Sequence, residues 1–343
     1  MSQVAPPPHQ PVAIEKTPDA PELPSADMPP ASTPLAFPER RIDYVREESF
    51  HDEWGQAIDP AHVPVVESFE ACTAPENRFI MNWLGDVRGR RVLDLGCGAG
   101  EAAVYFAMQG AEVTATDIST GMLRLTRRVA RRYGVKVRCV RQNGDDLNFP
   151  RQSFDVVYAG NLLHHVNMER CLATVAQVLK PDGRFVSWDP LRHNPIINIY
   201  RKMASAVRTD DETPLHINDT SKFRRYFAQV EQQSFWLSGL WIFMRFFLIE
   251  RVHPSKERYW KKIIVEAERL RSLYLRFEHL DETLLRWFPY LRRMCWNMVV
   301  CAARPRVASN LETENTKASL QRVVAKTRRT AAQLTPKQPA LRE

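Results

Sequence analysis

The stretch Val92-Leu93-Asp94-Leu95-Gly96-Cys97-Gly98-Ala99-Gly100-Glu101 constrains this 343-residue chain more than any other. A short apolar run that reads as a buried strand passes directly into three glycines at alternate positions, and then into a helical pattern. Lacking Cβ atoms, such glycines let the backbone lie close against a ligand at the C-terminal end of a strand in an open α/β sheet. Residues 91–188 continue the theme, alternating short apolar runs with amphipathic stretches. Strands are expected at 91–95, 112–117, 136–141, 154–159 and 184–188, most of them apolar enough to be buried on both faces. Helices are expected at 100–109, ended by Gly110; from a cap at Ser119 or Thr120 to about Tyr133, stopped by Gly134; and at 168–179, stopped by Lys180-Pro181-Asp182-Gly183. Segments 229–236 and 295–302 read as an antiparallel pair that closes the sheet. The fold class is therefore α/β: a doubly wound Rossmann-like seven-stranded sheet, mostly parallel with its last strand antiparallel, carrying a helical cap or insertion.

The ends of the chain read differently. Eleven of the 24 prolines fall within the first 38 residues, in a segment without apolar periodicity, so residues 1–40 are expected to form a disordered arm. Residues 41–75 read as N-terminal lid helices, 76–302 as the main domain with a helical insertion at about 239–292, and 303–343 as a basic, flexible tail. That tail holds nine basic residues against three acidic ones, which accounts for most of the net charge of +8. Nucleic acid is accordingly not an expected partner, and no RNA-binding module is visible. Six cysteines without a CxxC pair argue for reduced thiols and against a zinc ribbon, and no metal-ligand set is read from the spacing. With no signal-like or membrane-spanning run, the expected location is cytoplasmic. The sequence sets no oligomeric state.

The glycine turn narrows the ligand. A dinucleotide fingerprint calls for its third glycine at position 101, where a pyrophosphate would be received, yet that position is Glu101 and its carboxylate opposes a phosphate. S-adenosyl-L-methionine (SAM) carries a sulfonium, an amino group and a carboxylate but no phosphate, and suits a GxGxG turn introduced by Asp94. Asp117, ending the second strand, can accept two ribose hydroxyls, as it also could for NAD. Gln142-Asn143-Gly144-Asp145 follows the third strand, where an amide and a backbone N–H can read an adenine edge. The strand ending at Asn161-Leu162-Leu163-His164-His165 faces the same crevice.

The string VLDLGCGAGEAAVYFAMQGAEVTATDIS, and about residues 76–190 as a whole, resembles the class I SAM-dependent methyltransferases, within them the type 11 group that includes the ubiquinone and menaquinone C-methyltransferases. The resemblance implies that Gly96, Cys97, Gly98 and Gly100 hold the methionyl part of SAM, that Asp117 binds the ribose, that Ile118 and Met122 flank the adenine, and that Asn143 and Gly144 bind its edge. Many members read Asp-Ala-Glu where this chain reads Asn143-Gly144-Asp145, so the adenine contact falls on Asn143 or on Asp145.

Methyl transfer is an in-line displacement at an activated carbon, so orientation matters most and a base is needed only when the acceptor carries a proton. His164, His165 and Asp189, at the ends of the fourth and fifth strands, are the candidate catalytic residues; local packing is the alternative for each. His193 and Arg208, downstream of the fifth strand, and His51 and Trp54, on a helix that would close over the cofactor, are candidate acceptor contacts. The aromatic run from Trp241 to Phe247, with Arg245 within it and Arg251 beyond, points to a lipid-like acceptor and a peripheral membrane contact; an ordinary core helix is the alternative. The competing readings are O-methylation of a sugar or other polar small molecule, RNA methylation, and a SAM-binding scaffold or sensor without catalysis.

Overall fold

The structure is a computed structural model that describes residues 43–204 and 212–306. Arg208, the Pro-rich arm and most of the basic tail lie outside the described residues. Seven strands form one sheet: β1 (Arg91–Leu95), β2 (Glu112–Asp117), β3 (Val137–Arg141), β4 (Phe154–Gly160), β5 (Leu179–Pro190), β6 (Phe227–Phe235) and β7 (Asn297–Pro305), in the order β3-β2-β1-β4-β5-β7-β6. Neighbours from β3 through to β5 pair in parallel, and β7 runs antiparallel to both β5 and β6. The expected architecture is present, and the strand order reverses between β1 and β4. In an open α/β sheet that switch point leaves a crevice at the strands' C-terminal ends.

The two-residue period of the strands sorts the core. On β1, Val92 joins a cluster with Val104, Phe106 and Val129, while Leu93 and Leu95 join another with Leu172, Val175 and Phe185. The first cluster packs helices α4 (Glu101–Met108) and α5 (Thr120–Arg132), and the second packs α6 (Met168–Val178). Ser119 caps α5 by accepting from the Met122 N–H at 3.0 Å. The turn 180–183, expected to stop a helix and precede a strand, lies inside β5: the pairing jumps from Phe154 opposite Leu179 to Val156 opposite Arg184, a bulge that takes up Pro181 and Gly183. The tail also starts later than expected. Ala303 sits opposite both Arg184 and Gln229, and β6 alone pairs on to Pro305, where β7 ends.

Among the described residues, three α-helices precede β1: α1 (Tyr44–Ala57), α2 (Glu67–Glu70) and α3 (Pro75–Leu84). The first docks on α5 through two glycines. A Cβ on Gly55 would come within 2.8 Å of the Gly121 carbonyl carbon, and one on Gly121 within 2.8 Å of the Asp52 carbonyl oxygen. Asp52 then accepts from Ser119 Oγ at 2.5 Å and from the Gly121 N–H at 2.7 Å, joining the two helices at the start of α5. Between β5 and β6 lie α7 (Pro195–Met203) and α8 (Thr220–Tyr226). Between β6 and β7 come α9 (Trp241–Leu248), α10 (Tyr259–Val265), α11 (Ala267–Trp287) and a 3-10 turn, Pro289–Met294. The aromatic run forms α9, with Ile242, Phe243 and Phe246 buried against α7 and α10, while Trp241 and Leu248 are 57% and 61% exposed. No helix among the described residues is long and apolar enough to cross a membrane. All six cysteines are free thiols.

Candidate active site

The principal cavity opens at the C-terminal ends of β1, β2 and β4, between the glycine turn below and α1 and α10 above. Gly96, Cys97 and Gly98 line it, with Gly96 and Gly98 at φ 70° and 51°. A Cβ on Gly98 would meet nothing within 4 Å, so this part of the turn presents bare backbone to open space. Gly100 acts elsewhere. Its Cβ would strike Thr126 of α5 at 2.8 Å, so the third glycine serves the packing of α4 against α5 and does not line the cavity.

Carboxylates dominate the charge of this cavity. Asp94, Asp117, Glu101 and Glu47 all line it. Asp117 Oδ2 accepts from the Gly98 N–H at 3.0 Å and Oδ1 from the Ser119 N–H at 2.9 Å, which clamps the end of β2 to the glycine turn. Burial pushes its carboxyl above the usual range, against the pull of those two N–H groups and of His51. Asp94 is 1% exposed, and its Oδ2 is buried without a hydrogen-bond partner. Burial, with repulsion from Glu101 and Asp117, raises it to about 8. A buried acceptor of this kind calls for a cationic or N–H donor from a ligand.

Lys261 of α10 is the ammonium in the lining, 3.8 Å from Glu101 Oε1, its side chain 23% exposed. Burial pulls it below the ordinary lysine value despite Glu101. It lies over the rings of Trp54 and Trp260, with the Arg258 guanidinium 3.5 Å from the Trp54 centroid. The cavity thus suits a ligand with positive charge toward Asp94 and Glu101 and an anionic group toward Lys261.

Ile118, Asn143, Gly144, Asn161, His51, Trp54 and His165 also line the cavity. Met122 does not: it is fully buried in the core on the inner face of α5. Nor does Asp145, whose carboxylate accepts from the Tyr44 hydroxyl and from the Asn167 N–H at 2.9 Å, while its own N–H donates to Asn143 Oδ1 at 3.0 Å. Of the two adenine-edge alternatives, therefore, Asn143 faces the cavity and Asp145 braces its loop. His193 stands apart, packed edge-to-face on His216 at 4.4 Å.

The three candidate catalytic residues separate as well. His165 lines the cavity, with Nδ1 3.4 Å from Glu47 Oε1 and Nε2 4.0 Å from Glu212 Oε1. His164 and Asp189 lie behind that wall. His164 Nδ1 is 2.8 Å from Asp189 Oδ1, and the two side chains are 2% and 0% exposed. Burial pushes the Asp189 carboxyl well above its ordinary range, against the backbone N–H groups of His164 and Leu163. Glu47 also lies 3.5 Å from His51 Nε2, so α1 brings a carboxylate and an imidazole to the same wall. Glu47 and Lys261 were not singled out from the sequence; no local motif marks them.

Residues 93–187 match a family model described as a methyltransferase domain. The demethylmenaquinone methyltransferase of Tropheryma whipplei (strain Twist) is 40% identical over 104 residues, covering 30% of this chain and 43% of that protein. The ubiquinone biosynthesis O-methyltransferase of Photobacterium profundum is 30% identical over 197 residues, covering 55% of this chain and 79% of that protein. A crystal structure of the YcgJ protein of Bacillus subtilis aligns with a TM-score of 0.42 and 20% identity, over 66% of this chain and 97% of that one. The chain spans about half the length of the first curated relatives it matches.

Proposed function

Because this chain belongs to the class I SAM-dependent methyltransferases, we propose that it transfers a methyl group from SAM to a small, lipid-like acceptor, with isoprenoid, quinone or glycolipid chemistry favoured. The observation that carries this reading is the charge pattern of the cavity: Asp94 Oδ2, buried without a hydrogen-bond partner, and a half-buried Glu101–Lys261 pair, over a glycine turn that leaves space for a ligand. SAM is a doubly cationic molecule with one carboxylate, and the residues present fit it. Asp94 and Glu101 would hold the ammonium, Lys261 the carboxylate, and Gly96, Cys97 and Gly98 the methionyl chain. Asp117 would hold the ribose, with Ile118 against the adenine, Asn143 and Gly144 at its edge, and Asn161 closing the same wall. Once bound, SAM supplies a methyl on a sulfonium, which needs orientation and no further activation.

His165, Glu47 and His51 form the wall that an acceptor would meet, and His164 with Asp189 positions His165. A hydroxyl acceptor's proton would pass to the Glu47–His51 pair. Trp54 and Trp260 give the acceptor apolar surface. The exposed face of α9 at Trp241 and Leu248, with Arg245 and Arg251 nearby, supports a peripheral contact with anionic lipid. The curated relatives named for menaquinone and ubiquinone synthesis favour the same acceptor class. The buried carboxylate behind an imidazole wall favours, as a second reading, O-methylation of a polar small molecule.

The test is incubation of the purified protein with SAM labelled in its methyl group and fractionated lipid, sugar and metabolite extracts, followed by identification of the labelled product. Label should appear in a lipid-extractable product and vanish in Asp117→Ala. Label confined to a water-soluble product would give the second reading precedence. SAM binding with no label in any fraction would leave a binding protein and sink the enzymatic reading.

A further inference from the structure

We propose that His164, His165 and Glu212 form a binding site for a divalent first-row transition cation at the acceptor end of the cavity. The ligand atoms these three residues offer lie within 4.8 Å of one another. With metal–ligand bonds of about 2.0–2.2 Å, neighbouring ligand atoms come to roughly 3 Å apart, so modest side-chain rotation closes the set.

Two further observations point the same way. Each imidazole has its Nδ1 turned to a carboxylate: His164 to Asp189 at 2.8 Å, and His165 to Glu47 at 3.4 Å. Histidines that bind metals commonly give their other ring N–H to a carboxylate, which fixes the tautomer and leaves Nε2 as the ligand atom. His164 has that arrangement with Asp189, while His165 Nδ1 faces Glu47 at an ion-pair distance of 3.4 Å. The third ligand is also held in place by the backbone. The Thr213 N–H donates to the His164 carbonyl at 2.9 Å, tying Glu212 beside the histidines although it lies far along the chain.

The donor set decides the class of ion. Two imidazoles and one carboxylate suit Mn²⁺, Fe²⁺, Co²⁺ or Zn²⁺ over Mg²⁺ or Ca²⁺, which prefer all-oxygen sites. Because His165 also lines the cavity, an ion in this place would leave coordination positions facing the acceptor. Resting on the methyl-transfer reading, this assigns the acceptor an oxygen donor, a hydroxyl or a carbonyl beside one, that the ion would orient.

The experiment uses the full chain, stripped with a chelator and titrated with Co²⁺ by calorimetry and visible absorption, with S-adenosylhomocysteine binding measured in parallel. We expect one Co²⁺ per chain in a site abolished or weakened at least about tenfold by Glu212→Gln and by His165→Ala, with S-adenosylhomocysteine binding retained. Asp189→Asn, which keeps the shape of the supporting carboxylate, should weaken Co²⁺ by about 10- to 100-fold. No binding near one equivalent in the wild type, or equal binding by the wild type and both ligand variants, overturns the site. Failure of the wild type to bind S-adenosylhomocysteine overturns the methyl-transfer reading, and the cobalt titration still decides the metal site.

Discussion

His164 Nδ1 and Asp189 Oδ1 lie 2.8 Å apart across the ends of β4 and β5, and both side chains are excluded from solvent. The pair joins two neighbouring strand ends and sets the ring of His165 at the cavity wall, 4.1 Å from that of His164 between centroids. Removing one partner of a buried, hydrogen-bonded pair costs about 3–5 kcal/mol, because the other is left unsatisfied. Asp189→Ala should therefore lose stability on that scale in urea denaturation, whereas His165→Ala, at the wall, should unfold near the wild-type midpoint and lose turnover. Equal midpoints for the wild type and Asp189→Ala would mean that the pair does not hold the strand ends.

Lys261 separates two parts of the cofactor. If its ammonium meets the carboxylate of the methionyl group, Lys261→Met should weaken S-adenosylhomocysteine by about tenfold, the scale of one charge-assisted hydrogen bond. It should leave 5′-methylthioadenosine, which lacks the amino-acid end, unchanged. Calorimetry on the two ligands decides this, and an equal loss for both would reassign Lys261 to the shape of the cavity.

Asp94 makes cofactor binding depend on pH. Burial raises its carboxyl to about 8, so in the free protein at about pH 6 to 7 it carries a proton, while an approaching ammonium favours the carboxylate. Binding of S-adenosylhomocysteine should release up to one proton, and affinity should rise by at most about tenfold from pH 6 to pH 7, where the ligand's amino group stays protonated. Calorimetry in buffers of different ionisation enthalpy reads the proton directly, and Asp94→Asn should abolish its release. The sign for folding is opposite. With the native carboxyl raised above its unfolded value near 4, the native state binds more protons in between, so stability of the free protein falls as pH climbs toward 8.

Gly121 sets the distance between α1 and α5. Alanine there would place a Cβ 2.8 Å from the Asp52 carbonyl oxygen, which is backbone and cannot swing aside. Overpacking of this kind costs about 1–3 kcal/mol. Since α1 also carries Tyr44, Glu47, His51 and Trp54 to the cavity, Gly121→Ala should lower both the melting temperature and the affinity for S-adenosylhomocysteine. An unchanged melting temperature would show that α1 shifts without cost.

The cofactor side of this protein is legible in its sequence because it is built from local rules. A strand that alternates Val92 with Leu93, a turn whose backbone needs Gly96 and Gly98 at positive φ, and Asp117 at the next strand end each follow from the period and stereochemistry of a few residues. The same rules could not separate Asn143 from Asp145, since which of two neighbours turns inward depended on Tyr44, about a hundred residues away on α1. They were equally blind to the acceptor wall. Glu47 and Lys261 are ordinary charges on helices, and nothing in their spacing distinguishes a charge that faces the cavity from those that face water. That choice belongs to long-range packing. The close approach of Gly55 and Gly121 delivers Glu47, a backbone hydrogen bond from Thr213 to His164 delivers Glu212, and the insertion between β6 and β7 delivers Lys261. Sequence alone determined the sheet and the cradle for the cofactor; tertiary structure decided which charges close over it, because burial selects side chains by position in space and not by position in the chain.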